Sequence, residues 1–273
     1  VYAKYKPTGD VKRRIIINGH TDSAYEWTLM KIRQEVMVGV LAVDLLCALA
    51  SIVIFSINIA KGVTPLWSVI FAACTVVAYI GLFFVCNFKV LSPGANDNLT
   101  GVFVAVSALK CLKESGIRYE NTEVCALLTG SEEAGLRGAT AFTKRHKGEN
   151  KDVETYIIAF DTMRDYDYMT IYHRDMTGMV KNSPEVVALL DEACNDPDVN
   201  HPLPHGVVPF GASDAAAFSR GGFKAAAVAG QNPKYAPYYH NRRDTPDQMI
   251  PETFALGLDI ALAAIEAFDR DQK

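Results

Sequence analysis

What this sequence lacks narrows its function first. It has no Cys-x-x-Cys pair, no phosphate-cradling Gly-x-x-x-x-Gly-Lys loop, no internal repeat and no low-complexity tract. The first absence removes dithiol redox chemistry and cysteine-paired zinc sites, so the six scattered cysteines read as buried free thiols of a reducing compartment. The second removes P-loop nucleotide hydrolysis. A basic excess is missing too: 27 Lys and Arg face 31 Asp and Glu, a net charge of −4. No face can then neutralise a phosphate backbone, and no nucleic-acid partner is expected. Gly 19 and Pro 12 are ordinary and 49% of residues are hydrophobic, which excludes a disordered or collagen-like chain. At 273 residues the chain suffices for one large α/β domain or two small ones.

Charge is scarcest in one block. Residues 36–88 hold only Asp44 and Lys61, whereas the remaining 220 residues carry 56 formal charges. Two apolar runs, Val36 to Ala60 and Leu66 to Cys86, flank a turn at Lys61-Gly62-Val63-Thr64-Pro65. Each exceeds the roughly 18 to 20 residues that cross a bilayer as a helix, and neither carries a polar stripe. The block therefore reads as a transmembrane helical hairpin contacting lipid; a buried hairpin or a lid over a pocket is the alternative. Asp44 would have to face the partner helix, the interface or another subunit. Lys31, Arg33 and Lys89 outnumber Lys61 at the tip, which puts the polar domain on the cytoplasmic side of the membrane. No secretory leader is recognisable, and a chain opening on Val1 reads as a fragment.

Outside the block, short apolar runs alternate with helical patterns. Arg14–Asn18, Val124–Thr129, Tyr156–Phe160 and Ala225–Ala229 read as doubly buried central strands, and Leu99–Leu112, Leu136–His146, Pro184–Cys194 and Glu252–Phe268 as helices. The expected fold is a three-layer α/β/α sandwich on a mixed, mostly parallel sheet. Tyr2 to Lys6 is expected to turn through Pro7-Thr8-Gly9-Asp10 and form an antiparallel hairpin with the first central strand. Residues 1–30 and 89–273 then form the catalytic domain, with 31–88 inserted.

Open α/β sheets place their sites at the carboxyl ends of strands. Three such ends carry metal-type ligands: Gly19-His20-Thr21-Asp22, Gly130-Ser131-Glu132-Glu133, and Asp161 after Phe160. Asp97 precedes a helix, and His240 follows Tyr238-Tyr239. Two imidazoles and three carboxylates form a ligand set that suits zinc, and five exceed what one catalytic zinc takes, which points to two metals sharing a carboxylate.

These segments, with Gly94-Ala95-Asn96-Asp97-Asn98, Glu132 through Gly138, Phe160-Asp161-Thr162-Met163, Ser213-Asp214 and Tyr239 through Thr245, resemble the co-catalytic zinc exopeptidases, the family of bacterial leucyl aminopeptidases and glutamate carboxypeptidases. The likeness spans roughly residues 1–23 and 90–273. It implies that Asp97 bridges two Zn2+ ions, with His20 and Asp161 completing one site and Glu133 and His240 the other. Glu132 would be the general base, taking a proton from the bridging water and returning it to the leaving amine. Asp22 would orient the His20 imidazole, and Tyr239 would polarise the scissile carbonyl. A cis peptide between Asp97 and Asn98 is also implied.

Two departures stand out. Ser213-Asp214-Ala215 lacks the histidine that often follows, and His20 and Asp97 lie 77 positions apart, with the apolar block filling a loop that relatives keep short. The expected activity is hydrolysis of peptides by a membrane-anchored dizinc aminopeptidase; a glutaminyl cyclase-like acyltransferase and an inactive peptidase-like binding module are the alternatives. Arg137, Arg164 and Arg242 are candidates to hold a substrate carboxylate, though surface ion pairing also explains each. Tyr238, Met163 and Phe210 are candidates to line the side-chain pocket. Gly211-Ala212-Ser213-Asp214-Ala215 imitates a nucleophile elbow without its final glycine, which argues against serine hydrolysis.

Overall fold

The structure, a computed structural model, describes residues 1–31, 33–82, 85–148 and 153–270. The chain divides into two compact units: Val1–Ser23, Gly94–Pro233 and Asp244–Lys273 form the first, Ala24–Pro93 and Lys234–Arg243 the second.

The first unit is built on a sheet of eight strands: β1 (Tyr2–Tyr5), β2 (Arg13–His20), β5 (Thr122–Thr129), β6 (Glu154–Met163), β7 (Met169–Asp175), β8 (Val180–Lys181), β9 (His205–Val207) and β10 (Lys224–Gly230). Their order is β1-β5-β2-β6-β10-β7-β8, with β9 also on β7. The central strands β5, β2, β6 and β10 are parallel, as continuous Ile, Val and Ala runs require when both faces are covered. Alternation divides the core between those faces. Ile15, Ile17, Val124, Ile158 and Phe160 pack under α3 (Thr100–Ser115), α5 (Pro184–Cys194) and α7 (Pro251–Arg270). Ile16, Cys125, Leu127 and Ile157 pack under α4 (Arg137–His146) and α6 (Asp214–Arg220). This is the α/β/α sandwich with a mixed, mostly parallel sheet.

One expected pairing differs. β1 is an antiparallel edge strand, but it pairs with β5 rather than with β2. Thr8, Gly9 and Lys12 donate backbone hydrogen bonds to Tyr119, Glu120 and Asn121, so the connection crosses the start of β5 and delivers β1 to its outer side. Strands β7 to β9 carry no long apolar run, and the sequence pattern missed them.

The second unit holds β3 (Tyr25–Trp27), α1 (Gln34–Lys61), α2 (Leu66–Leu82) and β4 (Cys86–Leu91), the two strands pairing antiparallel. Gly62, at φ 63°, ends α1 by donating its N–H to the Asn58 and Ile59 carbonyls. Among the described residues one helix, Glu35–Lys61, is long and apolar enough to cross a membrane. The second run is shorter as a helix than its 21 apolar positions suggested: α2 has 17 residues, Phe83 and Phe84 lie outside the described residues, and Cys86 opens β4. Leu45, Leu46, Ile52, Val53, Trp67 and Val77 are exposed, while Asp44, Asn58, Ser68 and Thr75 are buried, and α1 and α2 pack against each other. Neither run was expected to carry a polar stripe, yet positions 44, 51 and 58 on α1 and 68 and 75 on α2 recur every seven residues and give each helix a narrow polar seam, too sparse to stand out among the apolar positions of the sequence. Ser51, Ser68 and Thr75 satisfy their hydroxyls on carbonyls three or four residues back.

Candidate metal centre

Glycines set the geometry of the site. A Cβ on Gly19 of β2 would meet the Gly101 carbonyl carbon at 2.5 Å, and one on Gly101 of α3 would meet the Phe160 oxygen at 2.2 Å. The amino end of α3 thus rests directly on the sheet, and segment 95–99 brings Asp97 to the carboxyl ends of β2 and β6. Asn98 fastens that segment: its amide donates to the Phe160 carbonyl at 2.8 Å and accepts from Gly101 N–H at 3.0 Å and Thr162 N–H at 3.3 Å. Asp244, fully buried, accepts from the Asn96 N–H and amide and from the Asp97 N–H. The Asp97–Asn98 peptide is cis.

His20, 2% exposed, ends β2. Its Nδ1 donates to the Asp22 carbonyl at 3.0 Å, which fixes the tautomer and leaves Nε2 facing Asp97 Oδ1 at 3.2 Å and Asp161 Oδ1 at 3.7 Å. Burial works against the imidazolium, yet hydrogen bonds and charge from Asp161 and Asp97 prevail and raise its pKa well above the ordinary value. The Asp22 carboxylate has a further task. It accepts the Glu132 and Glu133 N–H groups at 3.0 and 3.2 Å, while its nearer oxygen stays 3.7 Å from His20 Nδ1. Glu132 and Glu133 lie on a tight turn in which Gly135 and Leu136 both donate to the Glu132 carbonyl. Asp161 lies inside β6, which runs three residues beyond Phe160, and Thr162 at φ 45° falls where the register to β10 shifts.

Ligand atoms of His20, Asp97 and Glu133 all lie within 4.8 Å of one another. Desolvation raises the Glu132 carboxyl well above its ordinary range, with Asp161, Glu133 and Asp214 adding to it. Desolvation, then Asp97, pushes Glu133 up to about 10. Asp214 rises to about 6 through burial, offset in part by the hydroxyl of Thr129, which donates to it. Carboxylates this close and this dry repel one another as anions, and a cation among them removes both penalties. Imidazole plus carboxylate oxygens is a donor set that suits zinc, so the residues present fit a zinc site.

His240 and Tyr239 belong to the second unit. His240 sits at φ 51° with the Tyr239 ring stacked on it at 3.8 Å, and its carbonyl accepts the Trp27 N–H at 2.8 Å.

Other candidates take structural places. Met163 and Tyr238 are at most 1% exposed, Met163 packing in the helix-covered core, so neither forms a pocket wall. Arg164 is tied to Asp165 and the Gln248 carbonyl, and Arg242 to Glu26. Arg137 and Phe210 lie at the surface. Ser213 donates to Asp175 at 2.6 Å and caps α6 through the Ala215 N–H, with no nucleophile–base arrangement. Asp244, Asn98 and Asp214 went unassigned on the sequence. Asp244 and Asn98 stand beside motif residues, but their partners lie 62 to 148 positions away.

The comparisons agree with this fold. The aminopeptidase from Aneurinibacillus sp. strain AM-1 superposes with a TM-score of 0.61 at 21% identity, over 97% of this chain and 46% of that one. A zinc aminopeptidase from Bacillus subtilis gives 0.61 at 18%, over 97% and 48%. The glutaminyl cyclase of Bacteroides thetaiotaomicron gives 0.61 at 12%, over 97% and 75%. The chain spans about half the length of the aminopeptidase structures it matches. No curated protein matches it. Residues 78–265 match the family model described as Peptidase family M28, and with more than half of its length matched the chain belongs to that family.

Proposed function

We propose that this chain is the catalytic part of a dizinc aminopeptidase held at a membrane by α1 and α2. The observation that carries the reading is the convergence of His20, Asp97 and Glu133 ligand atoms within 4.8 Å, beside the buried carboxyl of Glu132. His20 and Asp161 would hold one Zn2+, Glu133 and His240 the other, and Asp97 both; the place of His240 rests on the family motif. Zinc bound there supplies Lewis acidity toward the scissile carbonyl and lowers the pKa of water. Glu132, buried beside Glu133 and outside the proposed ligand set, takes a proton from the attacking water and returns it to the departing amine. Asp22 holds the Glu132–Glu133 backbone, and its carbonyl fixes the His20 tautomer. Tyr239 is assigned to the carbonyl oxygen.

Membrane anchorage is supported by the exposed apolar side chains and buried polar seam of the two helices. Lys31, Arg33 and Lys89 against Lys61 favour a cytoplasmic catalytic part.

The test is zinc content of the purified, detergent-extracted chain, paired with release of amino acids from free and N-blocked peptides before and after chelation. Two equivalents and chelator-sensitive cleavage from free amino termini are expected. One observation favours a second reading, an acyltransferase: the chain covers a larger share of the glutaminyl cyclase than of the aminopeptidases. Cyclisation of an N-terminal glutaminyl peptide with one zinc and no hydrolysis would select it.

A further inference from the structure

The proposed ligand His240 lies at φ 51°, in the left-handed region that few residues with side chains adopt, and its surroundings hold it there. Those surroundings belong to the segment inserted between β2 and α3. Trp27 of β3 donates its N–H to the His240 carbonyl at 2.8 Å and sets its ring edge-on to the imidazole, centroids 5.2 Å apart. One residue earlier in β3, Glu26 is 1% exposed and receives Arg242 Nε at 2.6 Å and Nη2 at 2.8 Å, a two-pronged ion pair that fixes direction as well as distance. Ser92, just past β4, donates its hydroxyl to the Asn241 carbonyl at 3.1 Å. Tyr239 joins the small apolar cluster of Met30, Met37 and Val85, in which Val40 and Leu41 of α1 and Leu82 of α2 also take part. Residues 239 to 242 are thus held by β3, by the chain leaving β4 and by the bases of both apolar helices.

We propose that the β3–β4 ribbon, the stem of the apolar helices, positions His240 for zinc, with Glu26 and Arg242 as its positioning residues. This rests on the reading of His240 as a ligand. The inserted segment is then a working part of the metal centre as well as an anchor. Physically, a ligand loop in an uncommon backbone conformation binds weakly if it must be ordered at the moment of binding, and the ribbon orders it beforehand. Glu26 carries the largest share, because a carboxylate that deep needs its guanidinium partner, and the partner is two residues from the ligand.

The experiment is zinc competition titration of the full chain in detergent, comparing wild type, His240→Ala, Arg242→Gln, Arg242→Lys and Glu26→Gln. Wild type binds two equivalents, and His240→Ala loses one. Arg242→Gln keeps the first equivalent unchanged and weakens the second by about 10- to 100-fold, the range found when a partner that orients a ligand is removed. Arg242→Lys, retaining charge without the fork, recovers part of that loss. Turnover of Arg242→Gln returns toward wild type at saturating zinc, which a folding defect would not permit. Arg242→Lys, which keeps a positive charge beside the buried Glu26 carboxylate, tests the idea even if Arg242→Gln or Glu26→Gln does not fold: its second-zinc affinity falls below wild type while the first equivalent is unchanged. Wild-type affinity for the second zinc in Arg242→Gln overturns the positioning role. Two equivalents retained by His240→Ala overturns the inference at its premise, and so identifies the ligand assignment as the part that failed.

Discussion

In the sheet unit Ile15, Ile16 and Ile17 are at most 1% exposed and the surface is charged; in the helical pair Leu45, Leu46 and Ile52 are 61%, 64% and 64% exposed while Asp44 and Asn58 are 7% exposed. The same chain therefore sorts its side chains in opposite directions. Burying each isoleucine of β2 is worth roughly 1.5 to 3 kcal/mol, the ordinary driving force of a water-soluble core. A helix pair in water gains nothing from turning its leucines outward. In hydrocarbon that gain is supplied by lipid, and the polar groups must find one another instead. The contrast teaches that one sorting rule, apolar inside and polar outside, describes the sheet unit and is reversed in the helical pair, which is the pattern the proposed membrane anchorage requires.

The sharpest way to break the comparison is at the chemistry of the sheet unit. Glu132→Gln should keep zinc content and lower kcat by about 10²- to 10⁴-fold, since only proton transfer is removed. Unchanged turnover at full zinc occupancy would take the base assignment away from Glu132. Next comes a charge on the outer face of α1. Ile52→Lys should cost ~3 kcal/mol of insertion at mid-helix in a bilayer, yet be harmless at a water-exposed site. Membrane fractionation of the variant decides, and quantitative recovery in the membrane pellet would count against the spanning reading. Gly101→Ala then probes the close approach of α3 to the sheet. It should destabilise by about 1 to 3 kcal/mol and lower zinc occupancy together, read by thermal melting and metal analysis. A stable variant with full zinc would show that Asp97 does not depend on that contact. The smallest effect is expected in the polar seam. The buried Asn58 amide nitrogen makes no hydrogen bond among the described residues, so Asn58→Leu should change helix association by less than about 1 kcal/mol, measured by detergent-dependent unfolding.

The candidate site was readable because its residues sit in short motifs at strand ends. His20-Thr21-Asp22, Asp97-Asn98 and Glu132-Glu133 each announce a position in the sheet, and their order along the chain matches one family. What supports them was not readable. Asp22 was expected beside the His20 imidazole, and its carbonyl accepts the ring N–H; that its carboxylate also accepts the backbone N–H groups of Glu132 and Glu133, 110 positions later, had no signal in the sequence. Asp244 looked like part of a terminal motif and proves to hold the Asp97 segment from 147 positions away. Met163 sat beside a proposed ligand and suggested a pocket wall, but β6 continues through it and the alternation of the strand turns it into the core. β1 was expected on its sequence neighbour β2, and only the path of residues 6–12 over the start of β5 decides otherwise.

By itself the sequence determined the fold class, and it supplied the residue types of the candidate metal centre and a long apolar block. Each follows from local information: apolar periodicity, the chemistry of His, Asp and Glu at strand ends, and the near absence of charge over residues 36–88. The tertiary structure alone decided which backbone group each carboxylate serves, that Gly19 and Gly101 let helix and sheet touch, and that Glu26 reaches Arg242. Those contacts join residues between 59 and 216 positions apart, and no local pattern encodes a partner at that distance. They form only once the packing of strands and helices has brought the two backbones together.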